Sequence, residues 1–319
     1  MFRLEPVRLG VIGGTGFYSI KDFQYVAEVN PLTPWGYPSS PITIARSPKG
    51  TPVAFLARHG RGHIFSPSEV PSRANIAALK HLGVNAIVAF SAVGSLQDHI
   101  RPRDFLVPNQ IIDRTRGIRP GTFFEKGLVG HAMFAEPFDV KMEKIVWKAA
   151  KSLQGGSKLH TVETNGGRDV TLICMEGPCF STRAESHLYR SFGGSVINMY
   201  PAWWNRIDDR SALPEAKLAR EAEIAYQMIC MITDYDCWKN DGEPVTVEIV
   251  NGHLHANADN ASRFLVSIVA SLEDDIEAGK LGTWLHGSMK YSMATAKDKW
   301  DPEVVKKIAY ILPHVVSDS

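Results

Sequence analysis

Two aspartates at the end of a predicted buried strand are well placed for acid–base chemistry. The segment Tyr226 to Thr233 is almost continuously apolar, which is typical of a strand covered on both faces of a sheet. Asp234 and Asp236 follow at once, and alternation along an extended chain should project both to one side. The spacing fits a ligand site at the carboxyl end of a strand, and it equally fits a solvated turn after a core strand.

A cluster of cationic side chains follows another predicted strand. Val53 to Ala57 is apolar and leads into RHGRGH, from Arg58 to His63. A guanidinium group can bind two oxygens of an oxyanion, and a neighbouring imidazole can donate a further hydrogen bond. A solvated basic turn is the alternative, but the position at a strand end favours an anion site.

Two more strand ends carry small residues with donor groups. Val7 to Ile12 runs into GGTG, where clustered glycines can point N–H groups at an anion and Thr15 adds a hydroxyl. Asn85 to Phe90 runs into Ser91, whose hydroxyl could donate to phosphate. Taken singly, both segments are also typical of ordinary turns.

The alternation of predicted strands and helices along all 319 residues indicates an α/β fold. We expect one domain over residues 1–319, with a central mixed, largely buried β-sheet flanked by helices. Further predicted strands are Ile42–Arg46, Phe105–Ile112 and Val170–Met175. The predicted helices are Ser72–Leu82, Asp139–Leu153, Thr182–Phe192, much of 245–280, and Pro302–Tyr310, while Asp113–Glu136 is a long loop.

Composition excludes several classes of partner and site. With 35 basic and 34 acidic residues the formal charge is +1, so no overall field favours nucleic acid or an anionic membrane. No apolar run approaches a membrane span, and the amino terminus lacks a signal-peptide core, so we expect a cytoplasmic protein that could also enter the nucleus. The four cysteines have no CxxC spacing, which predicts reduced, buried thiols rather than a zinc site.

Four motifs together resemble one enzyme family. GGTG from Gly13, ARHGRGH from Ala57, EGPCFSTRAES from Glu176 and DYDCW from Asp234 are similar to motifs of the 5'-methylthioadenosine phosphorylases, within the purine nucleoside phosphorylase family. The resemblance covers most of the chain and weakens after about residue 240. It implies phosphate-dependent cleavage of an N-glycosidic bond, with no metal or other cofactor and with inorganic phosphate as a co-substrate.

The acidic pair fits such a reaction. A purine is a poor leaving group as an anion, so its N7 must be protonated or strongly hydrogen-bonded as the bond to the sugar breaks. Burial and a second carboxylate can keep one carboxyl group protonated near neutral pH. The resemblance implies that Asp234 acts at N7 and Asp236 lies near the exocyclic amine, which favours a 6-amino purine.

The resemblance also assigns the remaining site residues. Phosphate contacts are implied for Thr15, Arg58, His59, Ser91 and Ser211. Nucleoside contacts are implied for Ala92, Gly94, Phe180, Ser181, Met199 and His63. His131 and Ile311 are implied to reach the site of a neighbouring subunit, which predicts a homotrimer.

One segment departs from the family pattern. Removing Tyr200–Arg210 would join Met199 to Ser211 and restore the pattern, so these residues are predicted to loop out and return. A mis-called exon boundary would produce the same sequence. Two other functions stay open. One is a 6-oxopurine nucleoside phosphorylase, against which the acidic pair argues. The other is a non-catalytic nucleoside-binding protein that the insertion disables.

Overall fold

The computed structural model describes residues 5–13, 22–62, 64–177, 179–198, 212–239 and 246–317. Within these residues the centre is a mixed sheet of eleven strands. The strands are β1 Leu9–Gly13, β2 Gln24–Val29, β3 Ile42–Arg46, β4 Pro52–Ala57, β5 Ala86–Ser95, β6 Phe105–Leu106, β7 Gln110–Asp113, β8 Leu159–His160, β9 Thr171–Cys174, β10 Gly194–Asn198 and β11 Ala225–Tyr235. The expected α/β fold with a mixed central sheet is confirmed.

Helices cover both faces of this sheet. They are α1 Ser72–His81, α2 Val140–Ala149, α3 Arg183–Ser191, α4 Glu215–Glu221, α5 Val247–Glu277, α6 Pro302–Ile311 and α7 Pro313–Ser317. One apolar core lies between the sheet and α1, α4, α6 and α7, and a second lies between the sheet and α2 and α5. Successive residues of β5 and β11 alternate between the two cores, which explains their nearly unbroken apolar sequence.

The strand order places several carboxyl ends around the middle of β5. The main path is β2-β3-β4-β1-β5-β10-β9-β7, and β11 pairs with β5 and with β6, which also pairs with β8. Parallel β1 pairs with β5 at residues 86–89, whereas antiparallel β10 pairs with it at residues 94–95. The carboxyl ends of β1 and β10 therefore approach the part of β5 that holds Ser91 from opposite directions.

Local sequence signals explain where several helices begin. Thr182 caps α3 through a capping box with Glu185. Asp139 caps α2 and Asp301 caps α6, each by accepting two backbone N–H bonds. These helices begin within a residue of the predicted positions, because a cap is a local feature of the chain.

The structure differs from the sequence predictions in one predicted strand, in a strand that was not predicted, and in the burial of the cysteines. Phe105–Ile112 is not one strand, because β6 ends before Pro108, which has no N–H for a ladder, and β7 begins after it. Strand β2 was not predicted, since it is mostly exposed and lacks an apolar pattern. All four cysteines are free, as expected, but only Cys174 and Cys230 are buried, whereas Cys237 is partly buried and Cys179 is exposed. No helix in the described part of the chain is both long enough and apolar enough to cross a membrane.

Candidate functional site

Asp234 and Asp236 lie together over one glycine of the neighbouring strand. Both side chains are buried, at the carboxyl end of β11. A Cβ atom added to Gly94 would lie 3.0 Å from Oδ1 of Asp234 and 3.5 Å from Cβ of Asp236. The hydroxyl of Tyr235 instead donates to the Asp98 carbonyl, 3.2 Å away. The two carboxylates thus share one side, as the alternation of an extended chain predicts, and the missing side chain of Gly94 makes room for them.

The environment of Asp236 favours its protonated form. Burial raises the pKa of Asp236 from 3.8 to about 6, the Ser186 side chain lowers it, and the nearby Asp234 raises it. The backbone N–H of Asp236 donates to the Ser95 carbonyl at 3.0 Å, which fixes this turn against the end of β5. One member of the pair can therefore hold a proton close to neutral pH.

Thr233, the residue before the acidic pair, orients Asp234. Its Oγ1 donates to Oδ2 of Asp234 at 2.7 Å, and the Val93 carbonyl, 3.2 Å away, is a second acceptor for the same hydroxyl. The Asp234 carboxyl group is thereby held against the end of β5.

A loop that joins β9 to α3 lies against the acidic pair. Within it Ser181 is buried, with Oγ 3.2 Å from Sδ of Met175. Its carbonyl oxygen lies 2.9 Å from Sγ of Cys237, the residue after Asp236. Phe180, the preceding residue, is partly exposed. The structure therefore places Ser181 in contact with Cys237, the residue that follows Asp236.

Arg58 has a carboxylate partner that the sequence reasoning missed. Its Nε and Nη2 atoms donate to the two carboxylate oxygens of Glu215, the Nη2 bond being 3.0 Å long, and both side chains are buried. Nη1 lies 3.4 Å from the carbonyl oxygen of Phe90, the residue before Ser91. Glu215 thus occupies the Nε–Nη2 edge of Arg58, and Nη1 faces the end of β5 that leads to Ser91.

His59 is held in place by the turn that follows β4. Its side chain is buried, and Nδ1 lies 2.7 Å from the carbonyl oxygen of Phe65. Gly60 has a φ of +76°, and a Cβ there would come within 3.0 Å of the Ser39 carbonyl oxygen, so this turn needs glycine. The carbonyl accepts only if Nδ1 carries a proton, which fixes the tautomer of a neutral ring.

Ser91 is held in place by a residue of the neighbouring strand β10. Nδ2 of Asn198 donates to Oγ of Ser91 at 2.7 Å, and Oδ1 of Asn198 accepts from the backbone N–H of Ala212 at 3.0 Å. Nη1 of Arg119 also donates to the Leu213 carbonyl at 2.7 Å. Asn198, the last residue of β10, therefore holds both Ser91 and the start of the segment that leads into α4.

Several predicted site residues lie outside the described residues. They are Thr15, His63, Met199 and Ser211, together with the predicted excursion Tyr200–Arg210. Ala92 and Gly94 lie in β5, after Ser91. Among the described residues, β5 therefore connects Phe90, whose carbonyl contacts Arg58, with Gly94, which pairs with Asp234.

The two residues assigned to a neighbouring subunit differ in exposure. His131 is exposed, and its backbone N–H donates to the Ser292 carbonyl at 2.8 Å. Ile311 is fully buried in the core of its own chain. The expectation that the Ile311 side chain reaches another subunit does not fit this burial, because that side chain is enclosed in the core of its own chain, where α6 packs against α1 and α7.

The described residues also include one cluster with the ligand types of a metal site. Glu223, His286 and His314 converge near the start of β11, at the opposite end from the acidic pair. Both oxygens of Glu223 already accept backbone N–H bonds, from Gly287 and Met289, at 2.9 Å. Since His314 Nε2 is 3.1 Å from Oε2 of Glu223, these contacts fit a structural link between the start of β11 and α7.

A family comparison decides the class of this chain. The sequence model of the phosphorylase superfamily matches residues 8–270, which include the acidic pair and Arg58. The chain belongs to the phosphorylase superfamily. Among its relatives, S-methyl-5'-thioadenosine phosphorylase of Schizosaccharomyces pombe is 55% identical over 313 residues, covering 98% of each chain. The Candida albicans (strain SC5314) protein of that name is 57% identical over 319 residues, covering 97% of this chain and 88% of the relative.

Solved structures of phosphorylases share the fold. A methylthioadenosine phosphorylase from an antarctic soil metagenomic library has a TM-score of 0.83 and 37% identity, covering 97% of this chain and 100% of the other. The enzyme from Schistosoma mansoni in complex with adenine has a TM-score of 0.77 and 31% identity, covering 92% of this chain and 99% of the other. The similarity in both cases extends over nearly the whole chain.

Proposed function

We propose that this phosphorylase cleaves S-methyl-5'-thioadenosine with inorganic phosphate, giving adenine and 5-methylthioribose 1-phosphate. The bond between the purine N9 and the sugar C1' breaks, a phosphate oxygen bonds to C1', and the base leaves with a proton at N7. The observation that carries the proposal is the buried pair Asp234 and Asp236 beside Gly94, next to a segment with Arg58 and Ser91. Relatives more than 50% identical carry the name of this activity.

The acidic pair would bind and activate the base. In the proposed arrangement the coupled acidic pair holds one proton, which passes to N7 of the purine from Asp234. Asp236 accepts a hydrogen bond from the exocyclic amine of adenine. A 6-oxopurine presents a carbonyl at that position, so it would meet an acceptor where it needs a donor.

Arg58, His59 and Ser91 would hold phosphate for attack on the sugar. Arg58 supplies positive charge from its Nη1 side. Ser91 accepts from Asn198, and its hydroxyl proton, which donates to the Ala92 carbonyl at 3.3 Å, would turn to a phosphate oxygen. Nδ1 of His59 donates to the Phe65 carbonyl, so Nε2 of the neutral ring can accept a hydrogen bond from a protonated phosphate oxygen. Loss of the base leaves cationic character on the sugar, which the phosphate would stabilise and then capture.

The wider setting is part of the same proposal. We infer a homotrimer in which exposed His131 reaches a neighbouring site, and a cytoplasmic or nuclear location. The reaction returns adenine and the methylthioribose unit for reuse, which is purine and methionine salvage. It needs phosphate as co-substrate and no resident cofactor.

One assay tests the proposal. Release of adenine from methylthioadenosine would be followed with and without phosphate, alongside release of hypoxanthine from inosine. We expect phosphate-dependent cleavage of methylthioadenosine and much slower cleavage of inosine. Preferential cleavage of inosine would identify a 6-oxopurine phosphorylase, and nucleoside binding without cleavage of either substrate would identify a non-catalytic binding protein.

A further inference from the structure

Arg58 belongs to a buried chain of three polar side chains that begins in the interior of the protein. The hydroxyl of Tyr226 donates to Oε2 of Glu215 at 3.0 Å, and Glu215 in turn accepts two bonds from Arg58. Burial raises the pKa of Tyr226 well above its ordinary value, and the charge of Glu215 raises it further. The tyrosine therefore remains a hydrogen-bond donor throughout the physiological pH range.

This arrangement fixes the guanidinium in two ways. Glu215 holds the Nε–Nη2 edge, which determines the plane of the group and leaves its Nη1 side toward Phe90 and Ser91. The ion pair is almost completely removed from solvent, so an alternative rotamer of Arg58 would leave a buried carboxylate without its partner. A buried pair of this kind is weak evidence for stability, but it restricts orientation strongly.

We propose that Glu215 and Tyr226 are positioning residues of the phosphate site, which set the direction in which Arg58 presents its charge. The inference rests on the proposed function, and it assigns neither residue a contact with substrate. Tyr226 lies at the start of β11, whose other end carries Asp234 and Asp236. The same strand thereby fixes the acidic pair directly and the phosphate-binding arginine through Glu215.

The substitution Tyr226→Phe gives the cleanest test. It removes only the hydroxyl group, while the ring keeps its stacking contact with Phe138, 6.2 Å between centroids. Because a single hydrogen bond contributes a factor of roughly 3 to 10, we expect the KM for phosphate and the Kd for inorganic phosphate to rise about 3- to 10-fold. The KM for methylthioadenosine at saturating phosphate should stay within about 2-fold of the wild type, since the acidic pair is untouched.

A matched control is Tyr310→Phe. This tyrosine stacks on His81 and lies in α6, outside the site, so its hydroxyl should not affect phosphate affinity. Glu215→Gln is a second variant, which keeps the shape but removes the charge that binds Arg58. It should raise the Kd for phosphate by roughly 10-fold or more, because charge-assisted bonds are about twice as strong as neutral ones.

Phosphate binding would be measured by calorimetry without nucleoside, so the outcome does not depend on the reaction. A wild-type protein that binds phosphate but leaves methylthioadenosine intact would refute the proposed function, while the Kd values would still decide the positioning role. An unchanged Kd in Tyr226→Phe, or an equal change in Tyr310→Phe, would overturn the inference. So would a wild-type protein that binds no phosphate, or a KM for nucleoside that rises as much as that for phosphate.

Discussion

Replacing Asp236 by asparagine should make the folded protein more stable near neutral pH while impairing its activity. The buried carboxylate costs stability whenever it is ionised, because burial and the neighbouring Asp234 both raise its pKa. Asparagine has nearly the same shape and carries no charge at any pH. The substitution therefore removes the cost of ionisation and also removes a group that we place against the exocyclic amine.

The size of the effect follows from the pKa. A rise from 3.8 to about 6 corresponds to roughly 3 kcal/mol of unfolding free energy. Because the folded-state pKa of Asp236 is raised, the wild type keeps its full free energy of unfolding below about pH 3.8, where this carboxyl group is protonated in both states. It loses about 3 kcal/mol of that free energy as the pH rises through 6. The advantage of Asp236→Asn over wild type should be about half developed at pH 5 and complete, at about 3 kcal/mol, by pH 8.

Chemical denaturation at pH 5 and pH 8 would measure this difference. A suitable control is Asp298→Asn, because Asp298 is an exposed carboxylate on a surface turn, with 72% of its side chain accessible. Its substitution should change stability by less than about 0.5 kcal/mol at either pH. The other titrating groups are present in the wild type and in both variants, so their contributions cancel when each variant is compared with the wild type.

Two results would refute this reasoning. If Asp236→Asn is no more stable than the wild type at pH 8, the carboxylate is not disfavoured by its surroundings. If the variant is more stable by the same amount at both pH values, the gain comes from packing or hydrogen bonding and not from ionisation. A variant with full activity on methylthioadenosine would separately remove Asp236 from the base site.

Four further outcomes are expected from the site. Asp234→Asn should lower kcat for methylthioadenosine by about 100- to 10,000-fold with little change in the Kd for phosphate, and unchanged turnover would exclude Asp234 as proton donor. Arg58→Ala should raise the KM for phosphate, and it should lower the free energy of unfolding by about 3–5 kcal/mol because Glu215 stays buried without the arginine. A change confined to nucleoside affinity would contradict the phosphate assignment. Gly94→Ala should reduce kcat by roughly 10-fold, because the new methyl group would lie 3.0 Å from Asp234 Oδ1 and displace it, and kinetics equal to wild type would show that the site tolerates that shift. Deleting Tyr200–Arg210 should preserve or increase phosphorolysis, since Asn198 and Ala212 already meet, and loss of activity in a folded variant would assign the segment a role.

The sequence alone determined the class of fold and the position of the acidic pair. Unbroken apolar runs predict strands covered on both faces, as β5 and β11 are, and capping residues predict helix starts to within a residue. The side shared by Asp234 and Asp236 follows from the alternation of an extended strand. These features depend on neighbours in the chain, so local patterns reveal them.

Tertiary structure alone decided which partners the site residues have. Glu215 follows Arg58 by 157 residues and Asn198 follows Ser91 by 107, and no spacing rule connects such positions. In the sequence Glu215 is an ordinary acidic residue at a helix start, and only the packing of α4 against α1 and β11 makes it the partner of Arg58. Likewise, the family resemblance made Ile311 a candidate contact with a neighbouring subunit, but tertiary packing buries its side chain within its own chain. Side-chain partners and burial depend on how distant elements meet, which is why the sequence predicted the residues of the site but not the contacts that orient them.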